Sequence, residues 1–128
     1  MRTHLSIVTG ASRGLGLAMC RQLLQQGHVV VAIARQPTEL PVPPGSELLN
    51  WQQDLADPVA AARRLGSWLA DCDASRWASV TLINNAGVVA NPAPLADGAD
   101  EELSRSLRVG LEAPTLLTAA FLRATSAW

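Results

Sequence analysis

The run HVVVAIA at residues 28–34 constrains this chain more than any other stretch. It is almost wholly apolar and rich in β-branched side chains, which suit a strand. A strand with one wet face alternates apolar and polar residues. This one does not, so both of its faces are covered, as at the centre of a parallel sheet. Parallel neighbours need long crossovers, usually helical. The rest of the chain should therefore alternate strands with helices, and it does. LSIVT (5–9), ELLNWQ (47–52) and SVTLIN (79–84) read as further strands. GLGLAMCRQLLQQ (14–26) has apolar residues at helical spacing, and Gly27 behind it suits a left-handed C-cap. Asp57-Pro58 sets an N-cap residue before a proline at the first helical position, opening a helix to about Asp71. A further helix begins at Asp100 with acidic residues in its first turn, and helix resumes near Pro114. PTELPVPPG (37–45) and NPAPLADGAD (91–100) read as loops.

A chain of 128 residues fits one domain, 1–128, and an apolar share of 48% is enough for a core. The formal net charge of −1 points away from nucleic acid and from acidic membrane surfaces as partners. Cys20, in an apolar helical pattern, and Cys72 read as free thiols, and no Cys/His cluster has metal-site spacing. His4 and His28 flank strands and read as structural residues. No signal peptide is expected, and no segment approaches the ~18 apolar residues of a membrane span. The expectation is a soluble, cytoplasmic protein.

TGASRGLG (9–16) joins the first strand to the first helix. Gly10, Gly14 and Gly16 are spaced G-x-x-x-G-x-G there. A helix N-terminus offers unpaired N–H groups and the positive end of the macrodipole, both suited to a diphosphate. Glycine lets the phosphates approach and permits positive φ. A tight turn with no ligand is the alternative reading. An acidic residue at the end of the second strand would bind the ribose 2′-hydroxyl of NAD. Ala34 and Arg35 stand there instead. Arg35 pairs with a 2′-phosphate, and Arg13 in the loop is placed to join it, which favours NADP over NAD.

These residues resemble the short-chain dehydrogenases/reductases, over the cofactor-binding N-terminal half of that fold. TGASRGLG resembles the family's cofactor loop, NNAG (84–87) its second signature, and Asp54-Leu55 its adenine-contacting pair. The resemblance implies that Gly10, Ser12, Gly14, Leu15 and Gly16 line the diphosphate. It implies that Arg13 and Arg35 hold the 2′-phosphate, and that Asp54 and Leu55 contact adenine. Asn85, Ala86 and Gly87 would lie along the adenine ribose, with Asn84 tying the central sheet. NNAG also reads as a plain strand-ending turn. The implied fold is α/β, a Rossmann-like doubly wound parallel sheet, truncated, with strand order 3-2-1-4 and helices on both faces.

The departures matter equally. RVGLEAP puts Gly110 where the family carries a catalytic Asn. With neither Tyr nor Lys in the sequence, there is no Tyr-x-x-x-Lys to move a proton. The expected function is the NADP(H)-binding portion of a carbonyl/alcohol oxidoreductase, inactive alone. The alternative is a non-catalytic or vestigial nucleotide-binding or assembly module. The fourth strand would be an open sheet edge, covered by self-association or by the family's C-terminal half.

Overall fold

The computed structural model describes residues 2–128. They divide into two compact units. The first takes the chain up to Gln53, then Asp71–Asn85 and Ala127–Trp128. The second takes Asp54–Ala70 and Ala86–Ser126.

The first unit holds the whole sheet. Strands β1 (Thr3–Thr9), β2 (Val29–Ala34), β3 (Glu47–Gln52) and β4 (Trp77–Ile83) are all parallel, in the order β3-β2-β1-β4. This is the Rossmann-like order expected. Leu5 pairs with Val29 on one side and Val80 on the other, so β1 is interior. All six residues of β2 are buried, as its unbroken apolar run requires. Strand β4 starts at Trp77, two residues earlier than its apolar pattern indicates. The register shifts between Thr3 and His4, which pair with Trp77 and Ser79, so Ala78 is an extra residue in the ladder. Such a bulge breaks the period-two pattern from which a strand start is read.

Helix α1 (Gly14–Gln25) packs on this sheet. Its Cys20 and Leu24 join Val8, Ala11, Val30 and Ala32 in a core flanked by Met19, Leu23, Leu40, Leu48 and Ile83. Burying a leucine such as Leu24 contributes about 2 kcal/mol. The same burial pushes the Cys20 thiol up to about 11, so it serves as a small apolar group rather than a nucleophile. Gly27 takes φ +83°, and the N–H groups of Gly27 and His28 close on the carbonyls of Leu24 and Leu23. That is the glycine C-cap expected there. The proline-rich loop is tied down by Asn50 of β3. Its amide accepts from Thr38 N–H at 2.8 Å and donates to Thr38 C=O at 3.1 Å, replacing the backbone partner that prolines cannot supply.

At the other end of the sheet, His28 Nδ1 lies 2.9 Å from Ser6 Oγ, and its ring stacks on His4 with centroids 5.0 Å apart. Burial, and secondarily the charge of His4, hold the His28 pKa below its ordinary 6.5. The unfolded chain therefore binds the proton more readily, and folding stability falls as pH drops below about 6.5. The melting temperature is expected to decline between pH 8 and pH 5, with a shallower decline in His28→Gln. An equal decline in both proteins would remove His28 as the cause.

The second unit is helical. Helix α2 (Pro58–Ala70) starts where expected, with Ala60 N–H donating to the Asp57 carboxylate at 3.4 Å. Helix α3 (Asp100–Leu107) runs through a π turn, Arg108–Glu112, into α4 (Ala113–Thr125). Sequence suggested two helices separated at Pro114, but one π turn joins them. It shifts the hydrogen-bond register just ahead of a nitrogen that carries no hydrogen. Helices α2 and α4 pack closely through small residues, with Gly66 against Ala120. No helix among the described residues is long and apolar enough to cross a membrane, and no described group of His, Cys, Asp or Glu has metal-binding geometry.

Candidate functional site

In the first unit, a hydrogen bond, two left-handed glycines and one close approach fix the backbone of the glycine loop. Gly10 N–H donates to Ile33 C=O at 2.9 Å, anchoring the loop on the C-terminal end of β2, two residues before Arg35. Gly10 and Gly14 take φ +64° and +58°, the left-handed region where a side chain is disfavoured. Gly16 is needed for a different reason. A Cβ on it would collide with the Gly10 carbonyl oxygen and lie 2.7 Å from Asn85 Nδ2.

Asn85 locks this arrangement. Its side-chain amide donates to Thr9 C=O and Gly10 C=O, both at 3.2 Å, and its own N–H donates to Thr9 Oγ1 at 3.0 Å. Thr9 Oγ1 in turn donates to Ile83 C=O at 3.5 Å, closing the link from β1 to the end of β4. Asn85 and Thr9 thus tie the end of β1 to the end of β4. Thr9, 1% exposed, was missed in the sequence because a threonine ending a strand carries no motif of its own.

Around this fixed backbone part of the loop is open to solvent. Ser12 is half-buried, Arg13, Gly14 and Arg35 are exposed, and Leu15 is 69% exposed at the start of α1. Arg13 is the N-cap residue, with extended backbone and no side-chain cap hydrogen bond, and no acidic residue occupies the first turn. The positive end of α1 is therefore not neutralised by its own side chains.

In the second unit, Leu55 is buried and Asp54 exposed. The Asp54 carboxylate accepts from Ala56 N–H at 2.9 Å, forming a tight turn before Asp57. Arg105 of α3 forks onto the same carboxylate, Nη1 to Oδ2 at 3.3 Å and Nη2 to Oδ1 at 3.2 Å. Arg108, one turn on, donates to Ala56 C=O at 3.1 Å. Neither arginine was singled out in the sequence, because their partner lies about fifty residues away. Ala86 is half-buried and Gly87 exposed, with nothing near the position a Cβ would take. Gly110 is exposed inside the π turn, again with open space around it. π turns are frequent at functional positions.

The family described as short chain dehydrogenase matches residues 4–127. A benzil reductase ((S)-benzoin forming) of Bacillus subtilis is 36% identical over 120 residues, covering 94% of this chain and 48% of its own length. The chain thus spans about half the length of the curated relatives it matches. Among solved structures, a metagenomic short-chain oxidoreductase in complex with NADP superposes with a TM-score of 0.83 at 34% identity, over 99% of this chain and 58% of that one. A 4-hydroxyisoleucine dehydrogenase complexed with NADH gives a TM-score of 0.74 at 25% identity, over 98% of this chain and 50% of that one.

Proposed function

This chain belongs to the short chain dehydrogenase family, and from that premise we propose that its 128 residues form the NADP(H)-binding domain of an oxidoreductase acting on carbonyls or alcohols. The observation that carries the reading is the glycine loop, whose backbone at Gly16 leaves no room for a side chain while the helix start beside it is open. A diphosphate suits such a helix start, whose first N–H groups lack intrahelical partners and whose dipole is positive there. Gly10, Ser12, Gly14, Leu15 and Gly16 line it in this reading. Arg13 and Arg35 take the 2′-phosphate, which sets NADP ahead of NAD although relatives with either cofactor exist. Asp54 and Leu55 receive the adenine, and Asn85, Ala86 and Gly87 the ribose. When bound, the nicotinamide supplies the hydride. The protein residues bind and orient it.

Carbonyl reduction is the direction supported by the name of the Bacillus subtilis relative. The proton that must accompany the hydride has no donor of the Tyr/Lys type among these residues, since the sequence contains neither. We therefore propose that the 128-residue chain binds cofactor but does not turn over substrate. Titration calorimetry with NADPH and NADH, followed by an assay with benzil and other ketones, tests both parts. Heat with NADPH and no turnover is expected. Absence of NADPH binding sinks the cofactor reading, and turnover near 1 s⁻¹, within the ordinary enzyme range, sinks the second part.

A further inference from the structure

The bidentate pair between Arg105 and Asp54 has no part in the family resemblance, yet it engages a residue assigned to the cofactor from both of its carboxylate oxygens. A fork of two N–H groups fixes both the plane and the direction of a carboxylate, which a single hydrogen bond cannot do. Here the fork comes from a helix, and Arg108 on the next turn of that helix fixes the backbone of the same turn through Ala56 C=O. Two arginines three residues apart thus hold the Asp54–Ala56 turn, one by its side chain and one by its main chain. The Asp54 side chain is still 48% exposed, so an incoming group has access to it.

We infer that Arg105 is the positioning residue for base recognition: its guanidinium holds the Asp54 carboxylate, as an ionised acceptor in one orientation, toward the 6-amino group of adenine. The inference rests on the proposal that Asp54 meets the adenine. It assigns the chain a preference for a purine with a donor at position 6 over one with an acceptor there. A carboxylate accepts from an amino group but is repelled by a carbonyl oxygen.

The test compares NADPH with its reduced hypoxanthine analogue, which carries a carbonyl in place of the 6-amino group, by calorimetry on the 128-residue chain. The parent is expected to bind NADPH roughly tenfold more tightly than the analogue, the scale of one hydrogen bond to a charged group. Arg105→Ala should narrow that ratio to about twofold, and Arg105→Lys, which keeps the charge but loses the fork, should fall between. The NADPH-over-NADH ratio should stay unchanged in both variants, because it reads the 2′-phosphate end. A preserved adenine preference in Arg105→Ala overturns the inference and leaves the cofactor reading intact. Loss of both ratios together also overturns it, since that marks a merely structural role. Equal binding of the two bases by the parent removes the Asp54 contact itself. No NADPH binding by the parent is the separate failure of the cofactor reading. A thermal melt establishes that each variant is folded, and the lysine variant carries the test should the alanine variant unfold.

Discussion

Gly16→Ala is expected to lower stability by about 3 kcal/mol, at the upper end of overpacking costs, and to abolish NADPH binding. The added methyl would meet the Gly10 carbonyl oxygen, a backbone atom with no rotamer to escape into, and the Asn85 amide. Relief requires the loop to move. Moving it strains the bonds from Asn85 to Thr9 C=O and Gly10 C=O, and the bond from Gly10 N–H to Ile33 C=O. For a chain this size such a loss lowers the melting temperature by roughly 10 °C. Gly14→Ala is the internal comparison. Its φ of +58° makes a side chain unfavourable, but no atom lies near the new Cβ. Left-handed backbone alone costs about 1–2 kcal/mol. Thermal melts of the three proteins, with calorimetry against NADPH, decide the matter. A Gly16→Ala protein that melts within a degree of the parent would show that the loop is looser than this geometry states.

Arg35→Ala should weaken NADPH binding roughly 10- to 100-fold, the range for hydrogen bonds to a charged group, and leave NADH binding nearly unchanged. The side chain is exposed and immediately follows β2, at the strand end to which the glycine loop is bonded. In the proposed reading its loss removes the charge that takes the 2′-phosphate, and only NADPH carries that group. Arg35→Asp goes further. A carboxylate there repels the 2′-phosphate and accepts from a free 2′-hydroxyl, so the preference should invert toward NADH. Raising salt should erode the parent's selectivity, because an exposed charge pair is screened. Equal losses for both cofactors in Arg35→Ala would place Arg35 away from the phosphate and leave NADP without its carrier.

Much of the fold was legible because its signals are local. The unbroken run 28–34 could only be covered on both faces, and β2 is buried throughout. Gly27 behind a periodic stretch had to end α1, and its φ of +83° does so. The start of β4 at Trp77 was hidden by the extra Ala78, and the continuity of α3 into α4 by Gly110 and Pro114, both of which ordinarily argue against helix. In the candidate site, the glycine spacing announced the loop but not why each glycine is there. Gly10 and Gly14 answer to backbone conformation, Gly16 to a neighbour whose identity depends on how β1 and β4 pair.

By itself, then, the sequence determined the alternation of strands and helices, the central place of β2, the glycine loop between β1 and α1 and the arginine that follows β2. Each follows from residues adjacent in the chain, through side-chain period, φ preference or charge. Only the tertiary structure decided that Asn85 and Thr9 lock that loop, and that Arg105 and Arg108 hold the turn at Asp54. Those partners lie about fifty to seventy-five residues apart. Hydrogen bonds of that separation leave no periodic trace in the chain and exist only once the backbone has been brought together.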